Sequence, residues 1–156
     1  MNGKLPNPEA SEEAIDDSDV PMLPNFPFQS CPIQTSLGVL GRKWTLLILR
    51  DIGLLKVNRF NQILATLPGM PPKVLSTRLH ELEAEGYIKR VEKQRSPMMV
   101  KWALTQKGRD TLPILMRFIA FGSKWYPEVV FSDKASRSLG ELFSLPEAKQ
   151  MIDGYT

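Results

Sequence analysis

Hydrophobic positions recur at helical spacing through most of the chain. Between Pro71 and Gly86, Leu75, Leu79 and Leu82 fall at i, i+4 and i+7 and so share one face of a helix. Lys73, Ser76, Thr77 and His80 occupy the opposite face, with Arg78 on its flank. Paired prolines suit the first turn of such a helix, and Gly86 suits its end. Its outer face is hydrogen-bonding and basic near the N-terminus, whereas Glu81, Glu83 and Glu85 crowd the last two turns. Two readings fit this stretch alone: an ordinary amphipathic surface helix, or one whose outer face reads DNA in the major groove.

The surrounding pattern favours the second. Cys31 and Pro32 read as the cap and first position of a helix with Ile33, Leu37 and Leu40 on one face. Trp44 to Ile52 reads as a mostly buried helix closed by Gly53, with Trp44 as a core anchor, and Leu54 to Val57 as a connector. Arg59 to Leu67 makes a short helix with Phe60, Ile63, Leu64 and Leu67 inward, and Pro68-Gly69-Met70 makes a turn into the next. Two short helices joined by a tight glycine-containing turn are a helix-turn-helix. Tyr87 to Lys93 and Met98 to Leu104 then read as two strands joined by a loop around Arg95. A helix-turn-helix followed by a basic hairpin is a winged helix, with Lys93 and Arg95 placed to meet phosphates or the minor groove.

From Arg109 to about Phe131 the chain is apolar around more than one side. Leu112, Leu115, Met116, Phe118, Ile119, Phe121, Trp125 and Tyr126 cover more circumference than one small core absorbs, so this helix is expected to bury itself against a second copy. A helix lying across its own domain is the alternative. Leu139, Leu142 and Phe143 are at helical spacing, and Leu145-Pro146-Glu147 looks like a further helix start. The fold class is mainly α with a small β-hairpin (α+β): a winged helix-turn-helix domain with terminal dimerisation helices. Residues 1–30 are expected to form a disordered acidic arm, 31–108 the DNA-binding domain, and 109–156 the dimerisation helix and tail.

Charge sharpens the partner. Residues 1–30 carry one lysine and six acidic residues, whereas 42–109 carry fourteen Lys/Arg against five acidic residues. So basic a block suits a polyanion, although charge alone does not separate DNA from RNA or anionic lipid. No run approaches the ~20 apolar residues of a membrane span. The N-terminus has no charged-then-apolar signal, so a cytoplasmic protein is expected. One cysteine and one histidine exclude an intrachain disulfide and Cys/His zinc sites, and no glycine-rich phosphate loop appears. Neither an enzyme nor a cofactor is expected.

Several segments then match a known family in order. They are Cys31-Pro32, Gly41 to Asp51, Arg59 to Ile63, Leu67-Pro68-Gly69, Pro72 to Glu83, Gly86 to Arg90 and Val100 to Gly108. Over about 31–125 the chain resembles the HxlR-type winged-helix transcriptional regulators, relatives of the MarR group. The resemblance implies a homodimer joined through terminal helices and bound to a pseudo-palindromic DNA operator. Arg42 departs from the family's usual second glycine, and Lys101 and Trp102 from its usual acidic residue and tyrosine.

The expected DNA-binding residues are Lys73, Ser76, Thr77 and His80 at base edges or nearby phosphates, with Arg59, Arg78, Lys93 and Arg95 on the backbone. Cys31 is a candidate thiol sensor, because a thiol at a helix N-terminus, with Arg42 and Lys43 nearby, is readily oxidised. A half-buried cap without a signalling role is the plain alternative. Rival functions are a small-molecule sensor, its effector unknown, with a pocket near Trp44, Phe118, Phe121 and Trp125, and a winged helix used only for protein contacts.

Overall fold

Pro32 opens α1 (Pro32–Leu40) with Cys31 as its N-cap, as its fixed φ allows. The computed structural model describes residues 24–91 and 100–143. Trp44 adopts φ 78°, a left-handed conformation that turns the chain sharply into α2 (Thr45–Arg50). Its ring is half-buried and packs against the core. The helix does not stop at Gly53. It continues through Asp51–Leu55 as a π-helical turn, and Lys56, at φ 58°, ends it. Glycine is required at position 53 because a Cβ there would stand 2.5 Å from Leu112 Cδ2 and 2.8 Å from Leu104 Cδ1.

α3 (Phe60–Thr66) and α4 (Pro72–Ala84) form the helix-turn-helix, with Gly69 at φ 84° in the turn between them. α4 ends in a Schellman motif: Tyr87 N donates to Leu82 O at 2.8 Å and Gly86 N to Glu83 O at 3.0 Å, with Gly86 at φ 76°. β1 (Ile88–Val91) and β2 (Lys101–Leu104) pair antiparallel, Arg90 opposite Trp102. The segment before α3 joins the hairpin edge, with Trp102 N donating to Asn58 O at 2.9 Å and a bridge between Arg59 and Lys101. Residues 92–99, with Lys93, Arg95, Met98 and Met99, lie outside the described residues, as do the arm's residues 1–23 and the Leu145-Pro146-Glu147 helix start.

The core is fed by every element around α4. Leu75, Leu79 and Leu82 are buried together with Ile48, Leu49, Ile63, Ile88, Trp102, Leu104, Leu112 and Leu115. α5 (Gln106–Arg109) comes first, and the segment expected as a helix from Arg109 to about Phe131 is two pieces: α6 (Leu112–Trp125) and α7 (Pro127–Val130). Thr105 caps α5 by accepting from Gly108 N, and Gly108 packs so closely on Tyr87 that a Cβ would stand 2.1 Å from its carbonyl oxygen. A four-residue α8 (Leu139–Leu142) follows, opened by a Ser138–Glu141 capping box. Leu112, Leu115 and Met116 do not face a partner as expected. They are 6%, 6% and 2% exposed, turned into the protomer's own core, because α6 packs on α2 with that face.

Candidate nucleic-acid interface

α4 presents its polar face outward. Lys73, Thr77 and His80 are exposed and Ser76 is half-buried, while the leucine face anchors the helix to the core. Thirteen residues make a rod of about 20 Å. Thr77 Oγ1 donates to Lys73 O at 2.9 Å, which leaves the exposed hydroxyl able to accept. His80 Nδ1 lies 2.9 Å from Ser76 O. A carbonyl can only accept, so Nδ1 carries the proton and Nε2 is the atom left to meet a ligand.

A cleft runs between α4 and the hairpin, lined by Arg59, Asn61, Gln62, Ser76, His80, Arg90 and Trp102. Arg59 enters it as the N-cap of α3. Arg90 enters it from β1, its guanidinium 5.2 Å from the Trp102 ring centroid and its Nε 3.2 Å from Glu83 Oε1. Two arginines lining one groove with amide and hydroxyl donors suit a phosphate diester. Arg90, Asn61 and Gln62 were not singled out from the sequence. Arg90 sits in an alternating strand whose basic residues look alike until the register is known.

Arg78 is placed differently from expectation. Its Nη1 donates to Glu81 Oε2 at 2.8 Å and its Nε to Lys43 O at 3.1 Å, so its half-buried guanidinium is engaged by acceptors of the protein itself. Burial pushes the Glu81 carboxyl up, but hydrogen bonds from Arg78 and Arg42 outweigh it and hold the group below the usual carboxylate range. Asp51 is a second feature that the periodicity did not show. Fully buried, it accepts from Arg50 at 2.6 and 2.9 Å and from Thr66 Oγ1, tying α2 to α3. An unpaired carboxylate there would be costly, so the three side chains act as a unit.

Cys31 is exposed at the N-cap of α1 and makes no side-chain capping bond. Arg42 and Lys43 are not beside it. The nine-residue α1 stands between them, roughly 13 Å long. Ile33 and Leu37 of α1 and Leu47 of α2 adjoin Ile114 and Phe118 of α6 in one apolar furrow. Phe118, Phe121, Trp125 and Tyr126 are 55–59% exposed, and Ile119 is half-buried. No helix among the described residues is long and apolar enough to cross a membrane, and no His/Cys/Asp/Glu group there could hold a metal ion.

Known proteins resemble this chain in sequence or in fold. An uncharacterised HTH-type transcriptional regulator of Synechocystis, sll1512, is 38% identical over 95 residues, 61% of this chain and 70% of its own. A MarR-family regulator from Porphyromonas gingivalis has a similar structure, with TM-score 0.53, 29% identity and coverage of 64% and 96%. The transcriptional regulator YodB of Bacillus subtilis in its reduced form gives TM-score 0.52 and 28% identity, covering 62% and 95%. Its diamide-treated form gives 0.50 and 29%, covering 61% and 94%. These relatives are regulators, not enzymes. The HxlR-like helix-turn-helix family model matches residues 39–130, from the end of α1 through α7, and the chain therefore belongs to the HxlR family of transcriptional regulators.

Proposed function

We propose that the protein is a cytoplasmic homodimer that binds a pseudo-palindromic operator, with α4 in the major groove and the wing on the adjacent backbone. The observation that carries this reading is α4 itself, whose exposed Lys73, Thr77 and His80 lie opposite a buried leucine face, next to a cleft lined by Ser76, His80, Arg59 and Arg90. Lys73, Ser76, Thr77 and His80 meet base edges or nearby phosphates, and Arg59 and Arg90 hold the backbone. Lys93 and Arg95 extend the wing contacts. Residues 31–108 form the DNA-binding unit, and α6 serves twice, its inner face in that unit and its outer face against the second copy.

The dimer reading rests on the apolar furrow and the aromatic row beside it. Ile33 is 71% exposed and Leu37 54%, both continuous through the furrow with Phe118 at 59%. So large a contiguous apolar surface is unfavourable in water and is what a partner subunit covers. Operator half-sites then lie about 34 Å apart. The test is binding to duplex fragments selected from the native genome, read against salt.

A thiol switch at Cys31 is a second reading, favoured by its exposure at a helix N-cap and by likeness to YodB, solved both reduced and diamide-treated. Diamide would take two electrons and two protons from two Cys31 thiols and leave an intersubunit disulfide. A diamide-dependent dimer band on a non-reducing gel, with weakened fragment binding absent from Cys31→Ser, is the expected result. Equal affinities of wild type and Cys31→Ser under diamide remove the switch.

A further inference from the structure

α1 is joined to the body by little apolar packing, since Leu40 is its one buried residue. The turn that follows it is instead fastened to α4 by charged groups. Glu81 holds two arginines at once, Oε1 at 3.0 Å from Arg42 Nη1 and Oε2 at 2.8 Å from Arg78 Nη1. Each arginine is in turn tied to backbone before α2: Arg42 Nε donates to Gly38 O at 2.9 Å, and Arg78 Nε to Lys43 O at 3.1 Å. The loop of bonds is closed. It starts in the last turn of α1, crosses Glu81, and returns to the chain five residues later.

An isolated exposed ion pair contributes little, because ordering two long side chains offsets the attraction. Here one carboxylate orders two guanidiniums, and each guanidinium has a second, backbone acceptor. Charges linked in this way couple more strongly than separate pairs.

We infer that Arg42 and Glu81 are positioning residues for DNA binding: their ion pair fixes the recognition helix to the end of α1. Through it, a shift of α1 is passed to the half of α4 that carries Lys73 to His80. The same arrangement keeps Arg78 off the DNA. This inference rests on α4 being the recognition helix.

The test uses the full chain as wild type, Arg42→Ala, Arg42→Lys, Glu81→Gln and the Arg42→Ala/Glu81→Gln double variant, with one selected genomic duplex as probe. Arg42→Ala is expected to weaken binding roughly three- to tenfold, and to cost nothing further when Glu81 is already glutamine. Arg42→Lys, which keeps the pair, restores most of the loss. The slope of log affinity against log salt stays at the wild-type value. A slope shallower by about 0.9 means that Arg42 touches phosphate directly and overturns the inference. So does an equal cost in both backgrounds, or no cost at all. Amide exchange in the free protein gives an answer without DNA. Residues 76–82 should exchange at least about fivefold faster in Arg42→Ala than in wild type, and unchanged exchange refutes the link. If wild type binds no duplex, the DNA reading fails, while the exchange result still decides whether the link exists.

Discussion

Removing the side chains proposed to read bases together, as Lys73→Ala with His80→Ala, is expected to lower affinity for the selected operator by roughly 100-fold, at about 1–2 kcal/mol for each groove contact. Both residues are exposed, and neither supports the core through its side chain. Alanine is a better helix former than histidine and close to lysine, so α4 keeps its stability. The loss is therefore one of recognition, and thermal unfolding by circular dichroism stays at the wild-type midpoint. Binding to a scrambled duplex should fall much less, because its base edges do not match the order that specific groove contacts would select. Titrating both duplexes with the same protein checks the prediction. Equal losses on the two would place these residues on phosphate only.

Phe118→Asp has the second large effect. Its ring is 59% exposed at the meeting of α1, α2 and α6, in the middle of the surface assigned to the partner copy. A carboxylate there would be buried in an apolar interface without a counter-charge, which costs several kcal/mol on each side of the two-fold axis. The variant is expected to sediment as a folded monomer. Operator affinity should fall by roughly 10²–10⁴, the advantage of binding two linked half-sites over one. Analytical ultracentrifugation followed by titration of the same sample reads both. A dimer that survives Phe118→Asp would move the interface elsewhere.

Local signals disclosed α4 and left its ties to the rest of the molecule hidden. Prolines and glycine mark its two ends, and the spacing of Leu75, Leu79 and Leu82 identifies its inner face; all three are almost fully buried. Cys31 and Pro32 mark the start of α1 equally well. Gly53, however, reads as a helix stop although the helix runs through it. Its small size answers to Leu104 and Leu112, which lie far along the chain and close in space. Arg78 reads as a DNA-facing cation, yet its partners are Glu81 and a carbonyl 35 residues away, a distance no helical period spans. The excess of apolar residues in α6 is real, but it divides between two destinations. Leu112, Leu115 and Met116 fill the protomer core, whereas Phe118, Phe121, Trp125 and Tyr126 remain outside it. Periodicity counts apolar faces without saying which core each will join.

Affinity for a duplex selected from the native genome, measured from low to high salt beside a scrambled duplex of equal length, tests the central claim most directly. If Arg59 and Arg90 of both protomers each meet a phosphate, as proposed, at least four contacts are expected, and the slope of log affinity against log salt should be about −3.6 or steeper. The selected duplex should be held roughly 1,000-fold tighter than the scrambled one at physiological salt. A flat salt dependence, or equal affinity for the two duplexes, would contradict a dimer that reads DNA through α4.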